Sequence, residues 1–135
     1  MKIGILVAAV CAMIACGCVS TSTGGFEVSV REGDPVAKAE IDDYYFSQRF
    51  IVETAGISQG NSGFPSAQVR VRNKGHEDVP IQYKFTFFDG EGMEVQPGAR
   101  PWEQTTIHGG EAVSLASVAP DKSVVRFVVR VRRVK

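Results

Sequence analysis

Polar and apolar positions alternate in short runs along most of this chain. Phe26, Val28 and Val30 interleave with Glu27, Ser29 and Arg31. Ala67, Val69 and Val71 share one parity, and Gln68, Arg70 and Arg72 the other. Ile81, Tyr83, Phe85 and Phe87 line one face of the run Val79–Phe88, with Gln82, Lys84 and Thr86 opposite. Period-two alternation is the signature of a half-buried strand, because successive side chains leave opposite faces of the pleat. The run Phe50–Ile57 predicts a further strand, as do short runs at Met93–Gln96 and Trp102–Ile107. Glu111–Val118 predicts another, with Val113 and Leu115 inward. The last runs to the C-terminus, with Val125, Phe127, Val129 and Val131 inward. Val36–Phe46 is ambiguous and has room for one helical turn.

Turn chemistry separates these runs. Gln59–Pro65, Asn73-Lys74-Gly75, Asp89-Gly90-Glu91-Gly92 and Gly109-Gly110 are Gly-, Asn- and Asp-rich, and Pro97, Gly98 and Pro101 break the ladder before Trp102. Seven or eight strands with turns every 8–12 residues or so predict a single immunoglobulin-like antiparallel β-sandwich, with a small barrel as the alternative.

The first residues follow another pattern. Lys2 is followed by thirteen uncharged residues, Ile3–Ala15, and then by Cys16-Gly17-Cys18. This stretch is too short for a membrane-spanning helix, which needs about 20 residues, and suits the core of an export signal. Met13-Ile14-Ala15-Cys16 and Ala15-Cys16-Gly17-Cys18 both resemble the bacterial lipobox, in which a small residue precedes the cysteine that receives lipid. Cys16 and Cys18 are both candidates for attachment. The domain reading is a lipoprotein signal over 1–17, a Ser/Thr/Gly tether over 18–25 and a sandwich over 26–135. No cysteine lies beyond Cys18, so the exported domain stands on its core without a disulfide. Gly17 or Val19, and not Asp, follows the candidate cysteine. That favours the outer over the inner membrane, with the domain on the periplasmic face.

Fifteen basic and fifteen acidic residues give zero net charge, which speaks against nucleic acid as a partner. The charges are nevertheless segregated. Glu27–Glu53 holds seven acids and three bases, whereas Lys122–Lys135 holds six bases and no acid. Arg126, Arg130 and Arg132 share the outward parity of the last strand. They read either as a binding stripe for anionic lipid or cell-wall glycan, as cations that pair with the acidic segment, or as charges that blunt an edge strand. Tyr44, Tyr45 and Phe88 are candidate contacts for a protein partner, and Trp102 reads as core or as a lid over one sandwich end.

The stretch Val69-Arg-Val-Arg-Asn73, the run Ile81-Gln-Tyr-Lys-Phe-Thr-Phe-Phe-Asp-Gly-Glu-Gly92, Trp102, and Leu115-Ala-Ser-Val-Ala-Pro120 before an alternating terminal strand form a recognisable order. Together they resemble the YcfL-like family of bacterial periplasmic lipoproteins over roughly 51–134. The resemblance implies an immunoglobulin-like fold, a lipid anchor and no established activity. It carries no catalytic residues. In some genomes such proteins are encoded beside a lipoprotein that activates a peptidoglycan synthase, which implies a place in the cell envelope.

Catalytic patterns do not emerge from the residues themselves. His76 and His108 lie in separate turns and read as solvated, so no metal and no cofactor is expected. Ser62 lacks the Gly-x-Ser-x-Gly elbow, and Asp89 with Glu91 falls short of a calcium shell. Asp42, Asp43 and Glu53 are the carboxylates an unrecognised enzyme would draw on. The expectation is a non-catalytic, lipid-anchored envelope module that holds a protein partner. Binding of anionic lipid or glycan, and an unrecognised enzyme, are the alternatives; oligomeric state is left open.

Overall fold

A computed structural model describes residues 25–34, 37–41, 43–60, 62–98 and 100–134. The signal, Cys16, Cys18, most of the tether and Asp42 lie outside the described residues. Among the described residues, eight strands and one short helix follow in the order β1 (Gly25–Arg31), β2 (Lys38–Ile41), α1 (Tyr44–Arg49), β3 (Phe50–Gln59), β4 (Pro65–Asn73), β5 (Val79–Asp89), β6 (Glu103–Ile107), β7 (Ala112–Val118) and β8 (Val124–Arg133). They form two antiparallel sheets, β2-β1-β8-β5-β6 and β3-β4-β7. The two sheets enclose one hydrophobic core, so the domain is a β-sandwich.

The alternation explains which face each sheet buries. Phe26, Val28 and Val30 of β1 meet Ala67, Val69 and Val71 of β4 in that core, joined by Ile81, Phe85 and Phe87 of β5 and by Phe127, Val129 and Val131 of β8. Most of these side chains are fully buried, and each contributes about 1.5–3 kcal/mol on leaving water.

Two irregularities move the inward face relative to simple alternation. In β3 the apolar parity changes from Phe50 and Val52 to Ala55 and Ile57. A bulge between Val52 and Thr54 absorbs the extra residue, Glu53, and keeps both pairs of side chains turned towards β4's inner face. In β8 the register shifts where Phe88 and Asp89 face Arg126 and Val124. Val124 is therefore buried, whereas Val125, expected inward, is only half-buried. Met93–Gln96 does not make a strand. It forms one isolated bridge, Glu94 to Phe88, and Gln96 turns into the left-handed region at φ 51° ahead of Pro97.

One end of the sandwich gathers the start of β1, helix α1, the β4–β5 and β6–β7 turns and the end of β8. Asp43 caps α1 by accepting the Tyr45 N–H at 2.9 Å. Phe46 is fully buried there against Phe26 and Phe50, at ring distances of 5.4 and 5.0 Å. The ambiguous segment thus contains both a short strand and a helical turn. Gly25 belongs to β1, and a side chain there would strike the Val131 carbonyl oxygen at 2.0 Å.

Candidate functional site

The outer face of the five-stranded sheet carries the side chains that the alternation turns away from the core. On β8 these are Arg126, Val128, Arg130 and Arg132; Thr86 and Phe88 lie beside them on β5, and Glu27, Ser29 and Arg31 on β1. β8 is the central strand, bonded to β1 on one side and β5 on the other. Its arginines therefore do not protect an edge, because no edge is there to protect.

Two of these arginines lie on aromatic rings. The Arg126 guanidinium sits 4.6 Å from the Phe88 centroid, and its Nε donates to Ser29 Oγ at 3.1 Å. Arg132 sits 3.7 Å from the Trp102 centroid and donates from Nε to Gln82 Oε1 at 2.9 Å. Trp102 is accordingly neither core nor end lid. It precedes β6 with the parity of Lys84, so it leaves the sheet on the outer face and meets Arg132 there. Between the two stacks Arg130 stands exposed, opposite Glu27 on one side and Lys84 on the other. Val128 is buried although its parity points outward, between Ser29 of β1 and Thr86 of β5.

Tyr44 and Tyr45 do not join this face. They lie on α1 at the end of the sandwich, where Tyr44 is 78% exposed. The Tyr45 ring is held between Arg49 and Arg133, 4.4 and 4.2 Å from its centroid. Arg133 also approaches Asp43 at 3.8 Å, one point at which the acidic and basic segments pair.

Of the carboxylates considered for catalysis, the described Asp43 and Glu53 lie apart, each with its own structural partner. Asp43 is the helix cap. Glu53, the bulge residue, lies on the outer face of the other sheet and is paired with Arg70 and Arg72. The hydrogen bond from Arg72, reinforced by Arg70, holds the Glu53 carboxyl below the usual carboxylate range against a smaller opposing effect of desolvation. His108 pairs with Asp78 at 3.2 Å, and Asp78 also accepts the Gly109 N–H at 3.0 Å. These two bonds, the backbone one first, lower the Asp78 pKa. Among the described residues no three His, Cys, Asp or Glu side chains are grouped to hold a metal ion.

A residue read from the sequence only as part of a turn and of the resemblance is Asn73, a polar side chain that is fully buried. Its amide donates to the carbonyls of Glu77 at 2.7 Å and Ile107 at 3.0 Å, and its Oδ1 accepts the Gly75 N–H at 2.9 Å. The Asn-x-Gly spacing carried that signal, since Asn side chains bond the backbone two residues on.

Together these features define a small two-layer antiparallel β-sandwich with a cation–aromatic outer face. The chain belongs to the DUF1425 family, proteins of unknown function, whose model matches residues 37–133. It is similar to the crystal structure of a DUF1425 family member from Shewanella sp. pv-4, with 25% identity and a TM-score of 0.57, over 84% of this chain and 93% of that one. The fold is also that of Campylobacter jejuni cj0090, at 18% identity and a TM-score of 0.55, covering 62% of this chain and 85% of that one. No curated protein matches the chain significantly.

Proposed function

We propose that this protein is a non-catalytic, lipid-anchored module of the bacterial cell envelope, periplasmic and YcfL-like, that holds a protein partner on the outer face of its five-stranded sheet. The observation that carries the reading is the pair of stacks Arg126–Phe88 and Arg132–Trp102 flanking Arg130. Arg, Trp and Tyr dominate the energetics of protein interfaces, and side chains already held in one rotamer lose less entropy when a partner docks. Anionic lipid draws on the same arginines, but two of the three guanidinia are engaged by Ser29, Gln82 and the rings. An acyl anchor on Cys16 or Cys18 accounts for the lipobox-like run that precedes the domain.

The test is photocrosslinking in cells from a reactive residue at Phe88, using the full-length chain. Capture of one stoichiometric envelope protein, lost when Arg130 and Arg132 are both changed to Gln, is the expected result. Recovery of the chain alone overturns the partner reading. Failure of the chain to take up labelled acyl chains, in a form abolished by Cys16→Ser or Cys18→Ser, overturns the anchor.

A further inference from the structure

On the same sheet, over β1 and towards β2, lies a groove of about 360 Å³. Its lining runs from Glu27 and Glu40 past Ser29 and Lys38 to Arg31, Asp34 and Arg126. That volume lies in the range of small-ligand sites, about 300–1,000 Å³.

The registry of the strands sorts these charges by sign. Glu27 of β1 faces Glu40 of β2 directly, and Arg31 of β1 faces Arg126 of β8 directly. Like charges placed directly opposite each other across a ladder are destabilising. The outer face of β1 carries one such pair of each sign, and a further basic pair, Lys84 with Arg130, lies between β5 and β8. Neither Glu27 nor Glu40 forms an ion pair among the described residues, although Arg130 of β8 lies opposite Glu27 on its other side. At the basic end Arg126 is held by Ser29 and Phe88, and Lys38 lies between the two ends, facing Ser29. Asp34 offsets part of the basic charge. The two ends are four residues apart on β1, about 13 Å at the rise of a strand.

We propose that this groove binds a short peptide with both termini free, its ammonium group between Glu27 and Glu40 and its carboxylate at Arg31 and Arg126. An extended chain spans about 3.3–3.6 Å per residue, so about four residues bridge the two ends. Binding relieves both repulsions at once, which a ligand of a single charge does not do. The groove shares Arg126 with the proposed docking face but does not depend on that reading.

Calorimetric titration of the full-length chain in detergent tests this with tetra-alanine in three forms: both termini free, N-acetylated, and C-amidated. The free peptide binds, and blocking either end weakens it about tenfold, the loss of one charge-assisted contact. Changing Glu27 and Glu40 together to Gln abolishes the discrimination against the acetylated form and keeps that against the amide. Changing Arg31 and Arg126 together to Gln does the converse. Because Glu40→Gln removes a repulsion, its melting temperature equals or exceeds that of the parent, which guards against a folding artefact. Absent binding, or equal affinity for all three peptides, overturns the proposal. So does a dimer in sedimentation that the Glu27 and Glu40 changes dissolve, since the groove is then filled by a second copy of the chain. Partner capture at Phe88 is read independently, so either proposal can fail alone.

Discussion

The side-chain amide of Asn73 donates to the backbone carbonyl of Ile107 at 3.0 Å and thereby ties the three-stranded sheet to the five-stranded one. Asn73 ends β4 and Ile107 ends β6, two strands that share no ladder. The backbone of Asn73 extends the β4–β7 ladder of its own sheet, donating to Glu111 and accepting from Gly110, both at 2.9 Å. One side chain thus donates to a buried carbonyl, that of Ile107, and to a part-buried one, that of Glu77.

Replacing Asn73 by Ala leaves the carbonyls of Glu77 and Ile107 without this donor. We expect a loss of about 2–4 kcal/mol, the cost of a buried network broken at its centre. Urea denaturation measures it. A loss below 1 kcal/mol, roughly that of an ordinary exposed site, contradicts the role. Asn73→Asp should do no better, since it sets a carboxylate against two carbonyls.

Gly109 packs directly on the chain at His76, where a Cβ would lie 2.4 Å from the carbonyl oxygen. Gly109→Ala therefore forces the β4–β5 and β6–β7 turns apart. We expect about 1–3 kcal/mol of destabilisation and weakening of the Gly109 N–H bond to Asp78. Amide exchange at Gly109 is the local readout, and an unchanged exchange rate contradicts the packing.

Acid titration reports on Glu53. Its folded pKa lies below the ordinary value of 4.5, so its contribution is present above that value and is lost as pH falls through the folded pKa. Arg72→Ala removes the largest cause of the depression. The Glu53 carboxyl resonance, followed by NMR, should then titrate at higher pH than in the parent, and an unmoved midpoint refutes the pairing.

Alkaline titration reports on Tyr83. Desolvation, helped by Glu103 opposite it, pushes the phenol up to about 12 from 10.0. A raised pKa keeps the proton on in the folded chain after the unfolded chain has lost it. Stability therefore falls as pH rises from about 10 to about 12. The tyrosinate absorbance of the parent minus that of Tyr83→Phe should show the step at the upper end of this window. Glu103→Gln should move it down.

Local pattern carried most of the β-sandwich. β4 and β5 were legible because their inner residues alternate without interruption between two turns, and strand geometry imposes that period wherever one face is buried. It determined the outward parity of Arg126, Arg130 and Arg132 for the same reason. It also held a signal for the bulge at Glu53, in the parity change between Val52 and Ala55. What alternation does not encode is which strands become neighbours. Only the tertiary structure decided that β8 is central, that Trp102 lies beneath Arg132, and that Tyr44 and Tyr45 stand at the end of the sandwich, away from Phe88. Glu27 meets Glu40, and Arg31 meets Arg126, through ladder registry between segments up to about a hundred residues apart. Side-chain period is a property of one strand. Contact between strands depends on how the core closes, and no single run of residues contains it.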